Sequence, residues 1–281
     1  MWLAIVFFAG LILGAVTSFV LILWYAIPHM ERFYVFRPSR DILKTPADYG
    51  IPYDQCFIES DEGVRLCAWH LRPDNPVGSL IYFHGNGGNL GILNEILAML
   101  YRQRLQVLAV DYRGYGWSTG APSEQGLYAD AIATVDYFNA NFRDPKLGLV
   151  YWGRSLGSCV AAYAARTSPP DGLVLETAFP SKSSLLEHYP HFKPFQLFSR
   201  YRFNTAEYLE GHQFPVLMVH GDKDRTVPLE QGQKLYTTLS QPKEFWCVPG
   251  GGHVDIHMVD TERYLQKIAG FIETMKPTVI H

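Results

Sequence analysis

Six short apolar runs set the frame for this chain of 281 residues. They are SLIYF at 79–83, QVLAV at 106–110, LGLVYW at 147–152, GLVLE at 172–176, PVLMV at 215–219 and EFWCV at 244–248. Each has the length of a strand. Their near-continuous apolar character is how strands covered on both faces read. Segments with helical spacing separate most of them. Leu90, Leu93, Leu97 and Leu100 place one apolar face on a helix over 89–103. Ser123 is a cap for a helix reaching about 141, and 258–274 reads as a closing helix. Strand and helix in this alternation predict an α/β class with a mostly parallel, doubly covered sheet. Ahead of the runs, 54–60 and 64–72 read as an antiparallel hairpin.

The first residues say something different. Residues 2–27, WLAIVFFAGLILGAVTSFVLILWYAI, carry no charge. As a helix this run is about 39 Å long, enough to cross a hydrocarbon core of ~30 Å with some tilt. Trp2, Trp24 and Tyr25 sit near its ends, where interfacial aromatics belong. A cleaved signal peptide has a basic start and a shorter apolar stretch. The run therefore reads as an uncleaved transmembrane anchor. Arg32, Arg37, Arg40 and Lys44 follow it, so the positive-inside rule predicts that the larger C-terminal part faces the cytoplasm. The expected organisation is an anchor over 1–28 and one domain over 29–281.

Net charge is −3 with no basic block, which argues against a nucleic-acid partner. The four cysteines, Cys56, Cys67, Cys159 and Cys247, form no C-x-x-C pair. Gly63 predicts a three-residue hairpin loop that offsets Cys56 from Cys67, so all four read as free thiols.

In open parallel sheets, ligands bind outside the carboxyl ends of the strands. Five of the runs end in unusual loops: HGNGGN at 84–89, DYRGYG at 111–116, GRSLG at 153–157, HGDKD at 220–224 and PGGGH at 249–253. A lone G-x-S-x-G is short enough to arise by accident. Here a strand precedes it and a helix-forming segment follows, the context a strained nucleophile turn needs. Ser155 is then the candidate nucleophile, and Gly153 and Gly157 leave room for the turn. A serine hydroxyl needs a base within hydrogen-bond reach and an acid to orient that base. His253 in the last glycine loop is the candidate base, and Asp224 the candidate acid, with Asp222 as an alternative. His253 and His257 have the i, i+4 spacing of a metal pair. Val254 stands where a metalloprotease needs Glu, and no third ligand is near. The His84–Asn89 loop suits an oxyanion hole, with backbone N–H donors from Asn86 and Leu156. His84 is expected to brace this loop and Asp111 to organise its surroundings.

Taken together, HGNGGN, DYRGYGWS, GRSLG, HGDKDRTVP and PGGGH resemble the α/β-hydrolase superfamily, and more narrowly its membrane-anchored serine hydrolases. The resemblance covers about residues 30–275 together with the N-terminal anchor. It implies the α/β-hydrolase fold and a Ser155, Asp224, His253 triad, with no cofactor. It does not specify a substrate. In this fold the segment 178–214, which lacks a clear strand, implies a short cap over the pocket. Phe179, Phe192 and Phe195 are then candidates to line an acyl or other apolar site, unless they pack the cap onto the sheet. The expected chemistry is hydrolysis of a carboxylic ester or thioester through an acyl-enzyme. A position beside lipid favours lipid-like or acylated substrates. A peptidase of the same fold and a silent membrane-tethered scaffold are the other readings.

Overall fold

The protein is described here by a computed structural model covering residues 1–189, 196 and 198–275. Eight strands form one sheet: β1 (Asp54–Glu59), β2 (Arg65–Leu71), β3 (Gly78–Phe83), β4 (Leu105–Val110), β5 (Leu149–Arg154), β6 (Gly172–Glu176), β7 (Val216–Gly221) and β8 (Lys243–Val248). Their order across the sheet is β8-β7-β6-β5-β3-β4-β2-β1. All neighbours run parallel except β2, which is antiparallel to both β1 and β4. The order reverses between β3 and β4, so β3 lies between β4 and β5, and the carboxyl ends around it are the switch point where ligands bind in sheets of this kind.

The helices are α1 (Trp2–Val35), α2 (Asn94–Arg102), α3 (Glu124–Asn141), α4 (Leu156–Thr167), α5 (Lys182–Glu187), α6 (Thr205–Tyr208), α7 (Leu229–Thr238), α8 (Ile256–Val259) and α9 (Thr261–Thr274). Alternation along β3 shows the two layers. Ile81 and Phe83 pack toward the core that holds α3 and α4, and Leu80 and Tyr82 toward the core that holds α2 and α9. Helix α4 is surrounded by protein. Cys159, Val160, Ala161, Ala162, Ala164 and Ala165 are all buried, and their small size lets the helix lie close on the sheet centre.

The hairpin forms with the expected loop. Ser60 N–H donates to Val64 O at 2.7 Å, and Gly63 adopts φ +69°. Cys56 then pairs with Ala68 and Cys67 with Phe57, so the two thiols are offset, and all four cysteines are free. Burial pushes the Cys67 and Cys159 thiols up to about 12, which removes both as nucleophiles at neutral pH.

Several boundaries differ from the sequence reading. Helix α1 continues through Pro28 to Val35, since a proline costs a helix one hydrogen bond without obliging the residues beyond it to unwind. Its apolar window has mean hydropathy 2.6 and is not buried in the protein, so it is long and apolar enough to cross a membrane and is no core helix. The helix expected over 89–103 begins only at Asn94. Asn89 Oδ1 accepts from Gly91 N–H at 2.9 Å and caps a single 3-10 turn instead. The closing helix starts at Thr261, where Asp260 Oδ1 accepts from Arg263 N–H at 3.1 Å. The strand expected over 147–152 runs to Arg154, directly beneath the candidate nucleophile.

Candidate active site

Ser155 joins β5 to α4 with φ 53° and ψ −117°, a strained conformation for a residue with a Cβ. Its N–H donates to Glu176 O at 2.8 Å, which ties the turn to the neighbouring strand. The glycines at 153 and 157 are required by close approach. A Cβ at Gly157 would stand 2.1 Å from Phe83 O, and one at Gly153 would stand 2.2 Å from Gly157 O. Helix α4 therefore enters in backbone contact with the end of β3. Gly157→Ala is expected to cost about 3 kcal/mol of stability, because no flexible side chain can yield there. A denaturant midpoint equal to wild type would contradict this.

Asp224 and His253 arrive on the loops after β7 and β8. These loops are stitched together: Lys223 N–H donates to Gly251 O at 2.8 Å and Asp222 N–H to Val248 O at 3.2 Å. His253 Nδ1 lies 2.7 Å from Asp224 Oδ2, and its Nε2 lies 3.1 Å from Ser155 Oγ. A carboxylate only accepts, so Nδ1 carries the proton and Nε2 is left to accept from the serine hydroxyl. Asp224 Oδ1 accepts from the N–H groups of Thr226 and Val227, both at 2.8 Å. Burial works to raise the Asp224 carboxyl. Its bond and charge interaction with His253, with the two backbone donors, outweigh that and hold it below its ordinary value of 3.8. Asp222, the alternative acid, instead accepts from Gly250 N–H at 2.6 Å and braces the last loop.

The glycine loop lies over Ser155. A Cβ at Gly85 would be 3.6 Å from Ser155 Cβ. His84 Nδ1 lies 2.7 Å from Gly85 O and must donate there. In a planar trans peptide this sets Asn86 N–H opposite to that carbonyl. His84 Nε2 faces Asp111 Oδ1 at 3.3 Å, and Asp111 Oδ1 accepts from Leu90 N–H at 2.9 Å. Leu156 begins α4, so its N–H has no partner within the helix and stands at the positive end of the helix dipole.

Of the expected pocket residues, Phe179 is buried in the core that also holds Leu156 and Phe203. Phe192 and Phe195 lie outside the described residues. The described parts of 178–214 form α5 and α6 and no strand. Among the described residues, no three His, Cys, Asp or Glu side chains gather so as to hold a metal ion. His257 is buried beside Tyr264, with ring centroids 6.2 Å apart.

Sequence reasoning missed a buried layer under the site. Arg154 and Glu176 are register partners on β5 and β6, and Arg154 Nε lies 3.2 Å from Glu176 Oε1. Tyr264 OH donates to Glu176 Oε2 at 2.5 Å. Arg154 Nη2 donates to His253 O at 3.0 Å and so supports the loop that carries the imidazole. Burial works against the Arg154 charge, but Glu176, Tyr82 and Tyr264 retain it. The signal was a charge at the end of each of two apolar strands, useful only once those strands are known to be neighbours.

Comparison with known proteins agrees with this architecture. Residues 74–202 match the family model described as serine aminopeptidase, S33. That span includes the glycine loop and Ser155 and ends before Asp224 and His253. An uncharacterised membrane protein of Saccharomyces cerevisiae is 34% identical over 230 residues, covering 79% of this chain and 81% of its own. The lysophosphatidylserine lipase of Macaca fascicularis is 29% identical over 243 residues, covering 72% of this chain and 61% of its own. A Pyrococcus furiosus esterase superposes with TM-score 0.70 at 20% identity, over 86% of this chain and 98% of that one. With this sheet order, this strained turn and these relatives, the chain belongs to the alpha/beta hydrolase family.

Proposed function

We propose that this protein is a membrane-anchored serine hydrolase that cleaves carboxylic ester or thioester bonds of lipid-like or acylated molecules. The observation that carries the reading is the unbroken row from Ser155 Oγ through His253 to Asp224, at 3.1 and 2.7 Å. Ser155 Oγ attacks the acyl carbon while His253 Nε2 takes its proton. The carbonyl oxygen gains charge and is received by the N–H groups of Asn86 and Leu156. The bond to the alcohol or thiol then breaks, and the imidazolium returns the proton to that leaving group. Water, deprotonated by His253, attacks the acyl-enzyme and releases the acid and the free serine. Asp224 holds the productive tautomer and balances the imidazolium charge. No cofactor enters these steps.

The lipid-like substrate class is supported by where the cap sits. Lys182 pairs with Glu31, Ser199 Oγ donates to Glu31 Oε1 at 2.8 Å, and the Arg200 guanidinium lies 4.7 Å from the Trp24 ring centroid. Described cap residues thus contact α1, and a molecule passing from a bilayer would meet the cap first. Relatives that include a lysophosphatidylserine lipase favour the same class. Arg32, Arg37, Arg40 and Lys44 after the apolar run favour a cytoplasmic catalytic domain. The acyl-binding role of Phe179, Phe192 and Phe195 remains part of this proposal, and unchanged acyl preference in Phe192→Ala would remove it.

The full chain in detergent, given p-nitrophenyl esters from acetate to palmitate beside an aminoacyl anilide, tests the reading. Ester turnover rising with acyl length is the expected result. The family description that names an aminopeptidase favours a second reading, and turnover of the anilide alone would establish it instead. Inertness toward every substrate and toward a fluorophosphonate would leave a scaffold.

A further inference from the structure

The segment that leaves the membrane helix is built into the loop that carries Asn86. Phe36 N–H donates to Arg32 O at 2.9 Å, the last bond of α1, and the chain then becomes extended with Phe36 at φ −113° and ψ 124°. Arg37 and Pro38 pair in parallel with Gly87 and Gly88. Arg37 N–H donates to Asn86 O and Ser39 N–H to Gly88 O, both at 2.9 Å. Tyr115 OH donates to the same Asn86 carbonyl at 2.8 Å. The far side of the segment is held as well. Gly116 N–H donates to Ser39 O at 2.9 Å, and Asn89 Nδ2 donates to Ser39 O at 3.1 Å and to Asp41 O at 2.9 Å. The Arg40 guanidinium donates to Ser118 O and, at 3.4 Å, to Gly116 O. Phe36 is buried, with its ring 5.3 Å from that of Tyr201 and 6.1 Å from that of Phe203.

An N–H that receives an oxyanion helps catalysis only if it is fixed before the reaction. Asn86 sits in a loop with Gly85, Gly87 and Gly88, the residue type with the most backbone freedom. Two peptide planes flank it. His84 holds the one before, through Gly85 O. Arg37 N–H and Tyr115 OH hold the one after, through Asn86 O. Each peptide is planar, so holding both leaves Asn86 N–H one direction.

We propose that Arg37–Ser39 is a positioning strap, which clamps the Asn86 peptide of the oxyanion loop directly at the end of the membrane helix. The proposal rests on the serine-hydrolase reading above. Arg37→Pro removes the N–H donor, and the extended backbone at Phe36 suits a residue before proline. Arg37→Ala keeps that donor. The test uses the full chain in lipid nanodiscs, with a short-chain p-nitrophenyl ester and a trifluoromethyl ketone, which adds reversibly to an active serine.

Arg37→Pro is expected to lower kcat about 30-fold and to weaken ketone inhibition by a similar factor, with KM within about twofold of wild type. Arg37→Ala is expected to match wild type in all three. Equal kcat and ketone affinity in Arg37→Pro and Arg37→Ala would overturn the strap. Should Arg37→Pro not fold, Tyr115→Phe decides. A parallel loss of kcat and ketone affinity of about fivefold supports the clamp on Asn86 O, and wild-type values overturn it. An active wild type with unaffected variants defeats the strap alone, whereas a wild type inert to ester and fluorophosphonate defeats the underlying hydrolase reading, and the strap with it.

Discussion

Replacing Ser155 with alanine should abolish fluorophosphonate labelling and lower kcat on the best ester by about a million-fold, with KM changed little. The size follows from what is lost. Without Oγ there is no acyl-enzyme, and His253 Nε2, 3.1 Å from that oxygen, has no proton to take. Binding and the oxyanion donors would remain, and in serine enzymes these leave about 10³–10⁴-fold over water. The substitution also exchanges one small side chain for another at a turn set by backbone contacts, so the melting temperature should stay near wild type. Labelling of Ser155→Ala at the wild-type rate, by mass spectrometry of the modified peptide, would assign the nucleophile elsewhere.

Asp224→Asn should lower kcat by about 10⁴ while the protein still folds. The asparagine oxygen can still accept from Thr226 and Val227 N–H, so the loop keeps its shape. The amide nitrogen then faces His253 Nδ1 and makes it an acceptor. The ring proton moves to Nε2 and points at Ser155 Oγ, which can no longer give up its own. A second consequence concerns acid stability. The folded carboxyl lies below its ordinary 3.8, so its contribution is fully present above that pH and is lost as pH falls through the folded value. The variant should lack this part of the acid transition. Melting curves of the two proteins that stay apart by a constant amount above pH 3.8 and converge as pH falls below it are the expected result. A variant with wild-type kcat would remove Asp224 from the chemistry.

Much of this was open to reading because local pattern and function coincide at strand ends. The six runs became six parallel-paired strands; five are buried on both faces, whereas β8 at the sheet edge is only half-buried despite its apolar run. Boundaries read less well. Asn89 and Asp260 were not recognised as caps, because a capping side chain is defined by the N–H it meets. The anchor was bounded at residue 28 by the end of its apolar run, whereas the helix continues to Val35.

The chain by itself determined the class of sheet, the apolar N-terminal helix, and which side chains stand at the carboxyl ends of strands. Those are consequences of periodicity, length and turn chemistry, all of which act between near neighbours. Tertiary structure alone decided that Asp224 rather than Asp222 meets His253, that Arg154 faces Glu176, and that Arg37 N–H reaches Asn86 O. Each of those contacts joins segments whose adjacency depends on strand order and register, and hydrogen bonds and ion pairs at 2.7 to 3.2 Å cannot be inferred until the backbone is placed.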